Sequence, residues 1–281
     1  MNKVTKIWLF AASFIAVLGI VIFAGAMAVY NWDFSKLGTV KYETNTYTAN
    51  GAFDKISISV DTTEIEFLPT DSKDCSIVCV EDEKVKHSAE VQNRTLVIDT
   101  VDTRKWYDFI GISLGVPKMT VYLPQNEYNS LSIETDTGDI TVPKDFSFKN
   151  IEIDGDTSDI NCFASVSDIL EIELSTGDIK IDNVTTGHLD LSTSTGDITL
   201  KNVITTGSLS IETDTGDVKF KDSDADEIYV ETSTGDITGT LLSEKVFITQ
   251  SDTGRIHVPK TTSGGKCEIE TDTGDIKITV K

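Results

Sequence analysis

The chain has 281 residues, a formal net charge of -22 at pH 7 and 39% hydrophobic residues. This hydrophobic fraction is typical of a globular protein that buries a core, and it argues against general disorder. The acidic balance, with no visible basic face, argues against nucleic acid as a partner, because phosphate binding needs clustered Lys and Arg.

The first predicted element is a transmembrane helix over residues 7–29, a run without a charged side chain. About 20 apolar residues are enough to cross a bilayer. Lys3 and Lys6 lie in the preceding tail (1–6), which the positive-inside rule places in the cytoplasm. The alternative is a cleaved signal peptide, because small residues around Ala26 resemble cleavage sites. Both interpretations place the remaining chain outside the cell, and the first predicts a single-pass membrane protein.

A linker at 30–49 leads into a region of irregular β repeats at 50–130, which we expect to cap the repeats that follow. Its first strands lie in FDKISISVDTTEIEF, where apolar and polar residues alternate. Thr63 stands there at the place that glycine takes in later copies. Further strand-like runs are CSIVCV, RTLVIDTV and MTVYLP.

An aromatic cluster interrupts this region within RKWYDFIGISLGV, from Arg104 to Val116. If exposed, Trp106, Tyr107 and Phe109 are a possible contact for a partner or a membrane. The alternative is that the cluster plugs the open end of the repeat core.

A regular repeat is predicted over residues 131–281. Its turn motif, often TGDI, recurs every 19 or 20 residues in eight copies, with Ser158 in the place of one glycine. The glycines are Gly138, Gly177, Gly196, Gly216, Gly235, Gly254 and Gly274. Such a period fits a stack of hairpins or a solenoid. The even spacing favours an all-β fold, a single-chain, β-helix-like β-solenoid.

The apolar residues predict a bend at each glycine. They lie seven and five positions before it, and two and four positions after it. A straight strand cannot change parity in this way, because a shift of one residue reverses every side chain. One copy departs from the pattern, since Val246 and Ile248 lie eight and six positions before Gly254. We interpret this departure as a one-residue bulge.

Stacking the repeats would place the residues that follow the glycines in one column. These are Asp139, Asp159, Asp178, Asp197, Asp217, Asp236 and Asp275, with Arg255 in the remaining copy. One interpretation is that they are solvated turn aspartates, each held by backbone groups. The other is that they bind Ca²⁺, which prefers oxygen ligands. No other cofactor or metal site is expected.

The four cysteines are expected to be buried free thiols. Cys75 and Cys79 would lie about 13 Å apart on one strand, too far for a disulfide. Cys162 and Cys267 would lie on distant repeats. No catalytic residue is predicted, because no phosphate loop, HExxH motif or Ser-His-Asp pattern occurs. The carboxylates recur evenly rather than converging, as the paired carboxylates of a glycosidase would.

The chain stops at Lys281, directly after the strand DIKITVK. An unprotected last strand offers free backbone groups to another chain. We therefore expect this C-terminal end either to self-associate or to be covered by a partner.

The apolar N-terminus, SVDTTEIEF, RTLVI, VYLP and the serial TGDI strands resemble the bacterial "putative adhesin" family of β-strand-repeat envelope proteins, which has LiaG-like members. The resemblance covers roughly residues 50–281. It implies a β-repeat ectodomain on the bacterial cell surface, linked in some members to envelope-stress operons, and it supplies no catalytic residues.

The expected function is therefore that of a non-enzymatic, membrane-anchored surface scaffold or adhesin-like binding module. Its expected partner is an envelope protein or a polysaccharide. Two alternatives remain open at this point. One is a Ca²⁺-dependent surface protein, and the other is a β-solenoid enzyme acting on polysaccharides.

Overall fold

The computed structural model describes residues 2–33, 40–108 and 115–281. The chain forms two compact units. One contains Met1–Tyr42 and Arg104–Gly115, and the other contains Glu43–Thr103 and Val116–Lys281. The second is called the β unit below.

The first unit contains the helix α1, Lys3–Val29. Its most apolar window has a mean hydropathy of 2.6, so α1 is long and apolar enough to cross a membrane. A signal sequence near the N-terminus can also contain an apolar helix, so the structure fits both alternatives. The helix begins at Lys3 and so includes most of the predicted tail.

Within the described residues, 23 strands follow α1. Their bounds are β1 Tyr42–Ala49, β2 Lys55–Thr62, β3 Glu64–Thr70, β4 Cys75–Asp82, β5 Val85–Gln92, β6 Thr95–Asp102, β7 Lys118–Pro124, β8 Glu127–Thr137, β9 Ile140–Val142, β10 Ser147–Thr157, β11 Ile160–Cys162, β12 Ser165–Thr176, β13 Ile179–Asp182, β14 Thr185–Thr186, β15 His188–Thr195, β16 Ile198–Lys201, β17 Ile204–Thr215, β18 Val218–Thr234, β19 Ile237–Leu241, β20 Lys245–Thr253, β21 Ile256–His257, β22 Gly265–Thr273 and β23 Ile276–Val280. The predicted linker at 30–49 thus contains strand β1.

Each repeat forms one rung, with a strand before the TGD corner and another after it. The strands before the corners pair in parallel as sheet B. For example, Leu131 and Ile133 of β8 lie beside Ile151 and Ile153 of β10. The strands after the corners form sheet A in the same parallel manner. Parallel pairing of successive copies confirms the β-solenoid and excludes a stack of hairpins, whose strands would alternate in direction.

The core lies between the two sheets and follows the predicted parity. In β12, for example, Leu170 and Ile172 are buried while Glu171 and Glu173 are exposed. Burial of one such side chain contributes about 1.5–3 kcal/mol. The continuous core cluster is drawn from residues 49–280, so the β unit has a complete core of its own.

The spatial order of the rungs differs from the sequence order at both ends. Strand β2 pairs with β6 on one side and β8 on the other, so the β6/β7 rung lies outside the β2/β3 rung. At the other end, β22 pairs with both β18 and β20. The last copy in the sequence is therefore an inner rung, and the copy around Gly254 is the terminal one.

The N-terminal end is closed by antiparallel strands. Strand β5 pairs with β6, β4 pairs with β7, and β1 pairs with β4. These strands cover the N-terminal end of the stack, and the division predicted at residues 50–130 stays a prediction.

The prediction of a bulge in β20 is wrong. From Lys245 to Thr253 the strand keeps one register with β22, and Phe247 lies beside Cys267 while Thr249 lies beside Ile269. Phe247 and Thr249 therefore occupy the inward positions. Val246 and Ile248 point outward and are exposed.

Candidate binding groove and repeat corners

The TGD corners need glycine mainly because adjacent rungs approach each other closely. A Cβ atom on Gly216 would lie 1.8 Å from the carbonyl oxygen of Gly196. At Gly177 the corresponding distance, to the Ser158 oxygen, is 1.9 Å, and its φ of +142° is also unfavourable for other residues. The corner is thus a packing position in the stack as well as a turn.

The aspartate after each glycine ties its rung to the next. The backbone N–H of Asp178 donates to Oδ1 of Asp159 at 2.8 Å, and the N–H of Asp197 donates to Asp178 at the same distance. The bonds continue through Asp217, Asp236, Asp275 and Arg255 in that spatial order. Arg255 therefore ends the column, whereas the sequence order places it within the column. These contacts explain the aspartates without a cation.

Cations from the protein itself neutralise part of the column. Lys219 Nζ lies 3.1 Å from carboxylate oxygens of both Asp197 and Asp217. The N–H donated by Asp236 lowers the pKa of Asp217, with a smaller contribution from Lys219. At the end of the column, the Arg255 guanidinium lowers the pKa of Asp275. Ca²⁺ binding by the remaining carboxylates stays a prediction.

A second column, which the sequence analysis missed, lies inside the corner. Thr193 donates its hydroxyl to the carbonyl of Gly177 at 3.3 Å, and Thr271 donates to Gly235 at 3.1 Å. These buried threonines, three positions before the glycine, bond carbonyl groups at the corner of an adjacent rung. The recurring threonine itself was the available signal.

The outer faces of the two sheets differ in charge. Sheet B presents exposed carboxylates on successive rungs, such as Glu152, Glu171 and Glu212, whereas sheet A presents Lys180 and Lys277. The acidic residues are therefore concentrated on one face of the stack.

A groove of 870 Å³ crosses the starts of the sheet B strands. Its lining begins at Asp54 and Arg94, beside the starts of β2 and β6, and ends at Thr206 on β17. The part from β8 to β17 alone covers four rung spacings or about 19 Å. The strands bend here, because the β10–β12 register shifts between Phe148 and Asn150 and the β17–β18 register shifts after Thr205. The groove therefore lies beside these irregular strand starts.

The groove combines apolar and polar chemistry. Phe148 and Val166 line it from the buried side, and the exposed hydroxyl residues Ser165, Ser167 and Thr185 line its surface. Asp54, Arg94, Glu127 and Lys149 add charges of both signs, and Arg94 forms an ion pair with Asp54 at 2.7 Å. Hydroxyl and mixed-charge lining of this kind can hydrogen-bond an extended polar ligand.

The cap holds a buried polar cluster that the sequence analysis also missed. Glu81 accepts hydrogen bonds from Asn45, from Tyr47 and from both the backbone N–H and Nδ1 of His87. Cys79 lies beside them, and the ligand atoms of Cys79, Glu81 and His87 lie within 4.8 Å of one another. The carboxylate already has four donors, so hydrogen bonding accounts for this cluster. It joins β1, β4 and β5.

All four cysteines are buried free thiols, as predicted. Burial raises the pKa of each of them to about 12. Cys162 and Cys267 lie five rungs apart, on distant repeats as predicted. A thiol with so high a pKa is a poor nucleophile at neutral pH.

Trp106 and Tyr107 are exposed and pack edge to face, with ring centroids 5.7 Å apart. The alternative that they plug the repeat core also stays a prediction. A partner contact through them stays a prediction, and Phe109 lies outside the described residues.

A known protein family includes this architecture. The model of the Toastrack DUF4097 family matches residues 53–207 and 164–281. No curated protein matches the chain.

Two solved structures are similar to this chain. A "putative adhesin" from Bacteroides fragilis is 15% identical, with a TM-score of 0.50, and the match covers 85% of this chain and 97% of that one. A "putative lipid binding protein" from Parabacteroides distasonis is 16% identical, with a TM-score of 0.49, covering 86% and 98%. At these identities the first likeness concerns the fold, and the second carries no further conclusion.

Proposed function

Because the chain belongs to the Toastrack DUF4097 family, we propose that it is a non-enzymatic binding module, anchored by α1 and displayed outside the cell membrane as a surface scaffold or adhesin-like protein. The groove across the sheet B strand starts is its binding surface. The ligand is an extended segment of an envelope polysaccharide or protein.

The shape of the groove carries this proposal. A groove that crosses successive rungs for about 19 Å suits a linear ligand running along the stack, while a compact substrate would need an enclosed pocket. Its serine and threonine hydroxyls recur from rung to rung, as a repeating ligand requires.

The charge distribution supports the same choice of site. The carboxylates on the sheet B face repel anionic polymers, whereas Arg94 and Lys149 partly balance the acidic residues in the groove. The groove therefore accepts neutral or mixed-charge ligands.

Retention of envelope material on residues 40–281, which contain the complete β core, tests the proposal. Ser167→Trp fills the groove, and Ser194→Trp adds the same bulk on an exposed face of sheet B. We expect Ser167→Trp to lose the material that the unaltered protein and Ser194→Trp retain. Periodate sensitivity identifies a polysaccharide and protease sensitivity a protein. Equal retention by all three proteins would contradict binding in the groove.

A Ca²⁺-dependent surface role is the second candidate. A recess of 410 Å³ is lined by Asp159, Asp178 and Asp197, although Lys180 also lines it. Calorimetric titration of residues 40–281 with CaCl₂ tests this role, with Asp178→Asn as the matched variant. Absence of both heat and a change in melting temperature at millimolar calcium would eliminate it.

A further inference from the structure

The terminal rung of the C-terminal end has an open apolar edge. Strand β20 pairs with β22 on one side, and no other strand of the described residues pairs with it. Its outward side chains Val246 and Ile248 are 38% and 47% exposed. Ile256 in the same rung is 44% exposed. An open strand with an apolar outer face can pair with another strand.

At the opposite end of the β unit, the edge strand is protected against pairing with another chain. Its sheet B edge strand, β5, is antiparallel to its neighbour and carries Lys86 and Glu90. Lys86 forms an ion pair with Glu43 of β1. Charged side chains on an edge strand discourage pairing with another chain. On β20, between Lys245 and Asp252, there is no charged residue, so that edge lacks this protection.

Charge favours a second copy of the same chain at this end. Most of the molecule is acidic, and two copies repel each other when their acidic faces meet. The rung at 243–263 differs, since Lys245, Arg255 and Lys260 outnumber Glu244 and Asp252. Lys245 is buried and paired with Asp224 at 2.7 Å. Two copies therefore meet with little repulsion at this rung.

We propose that the β unit forms a twofold dimer through antiparallel pairing of β20 with β20 of a second copy. With Phe247 on the twofold axis, Val246 of each copy lies opposite Ile248 of the other. The four apolar side chains then form one cluster on the outer face, and Phe247 meets its own counterpart at the inner face. This arrangement is isologous and closes at two copies.

Sedimentation velocity of residues 40–281 over a concentration series tests the dimer. We expect a monomer–dimer equilibrium, and we expect Ile248→Lys to raise its dissociation constant at least tenfold. Ile169→Lys is the matched control, because Ile169 is 41% exposed on an inner rung. It leaves the equilibrium unchanged. Thermal melting of each variant verifies that the fold is retained. A monomer at every concentration, or an equal effect of both substitutions, overturns the proposal.

A cysteine pair tests the register independently. In the double variant Val246→Cys with Ile248→Cys, the new thiols of the two copies lie opposite each other, within disulfide range for an antiparallel pair. Mild oxidation is expected to give a covalent dimer, while the buried native thiols stay unreacted. Ile169→Cys keeps the non-covalent equilibrium and gives no covalent dimer. A non-covalent dimer without this cross-link, or growth beyond two copies, overturns the twofold register.

Discussion

Gly216 is restricted by the rung beside it. Its φ is outside the left-handed range that glycine alone adopts readily, so its own backbone angles do not require glycine. The constraint is the carbonyl oxygen of Gly196, 1.8 Å from where a Cβ would lie. Gly196 lies at the corner between β15 and β16, and a backbone atom fixed between two paired strands cannot move aside as the end of a flexible side chain does.

Gly216→Ala is therefore expected to destabilise the β unit by at least about 2 kcal/mol, in the range of overpacked core positions. Urea denaturation of residues 40–281 measures the loss. Ser194→Ala, an exposed change near a neighbouring corner, is the control and is expected to have little effect. Equal stability of the two variants would show that the rungs separate easily.

The carboxylate of Asp217 makes the stability of the fold depend on pH. Because its pKa is lowered in the folded state, the carboxylate stabilises the fold above its unfolded pKa of about 3.8. That contribution disappears as the pH falls through the lower folded pKa. Asp217→Asn is expected to reduce the drop in melting temperature between pH 5 and about pH 2. The exposed carboxylate of Asp214 gives the control, Asp214→Asn, and an identical acid profile for both variants would contradict the coupling.

At the residue level, the sequence predicted the inward positions because alternation records burial directly. Leu170 and Ile172 illustrate this, and so do the buried cysteines. It failed at β20, where the apolar Val246 and Ile248 point outward while Thr249 takes an inward position. Parity alone cannot identify a terminal rung. The strands of such a rung have a neighbouring rung on one side only.

Among the elements, the cap depends on one buried carboxylate. Glu81 on β4 accepts donors from β1 and β5, and these are strands that do not follow the parallel pattern of the rungs. A hydrogen-bonded carboxylate in this position fixes the relative positions of three strands. Apolar contacts alone fix these positions less specifically, because apolar contacts are not directional.

Glu81→Gln replaces an acceptor by a group that is half donor, and so leaves buried donors unpaired. We expect a loss of about 2–3 kcal/mol in the free energy of unfolding. Hydrogen exchange is expected to quicken first in β4 and β5. Glu83→Gln, in the exposed turn between them, is the control. Uniform quickening across all rungs would show that the cap does not unfold separately.

The order of the elements was less predictable than their existence. Period and alternation predicted the parallel rungs. They did not predict that β2 lies between β6 and β8, or that β22 lies between β18 and β20. Copies with similar edges can pair in either order, so the sequence does not specify this order. The groove was not predicted either. It lies beside Phe148 and Thr205, where the local register shifts, and the repeat period does not predict such shifts.

For the whole molecule, α1 decides whether the β unit stays with the cell. The helix has 27 residues and is about 40 Å long, which exceeds the roughly 30 Å hydrocarbon core of a bilayer. A signal peptide has a shorter apolar region of about 7–15 residues. Length therefore favours a retained anchor.

The full-length chain is accordingly expected to remain in the membrane pellet after alkaline carbonate extraction, with its N-terminal residues intact by mass spectrometry. The double variant Ala26→Leu with Ala28→Leu removes the small residues that cleavage requires. For a retained anchor, this variant and the unaltered chain behave alike. Release of the unaltered chain, together with retention of the double variant, would identify α1 as a cleaved signal peptide.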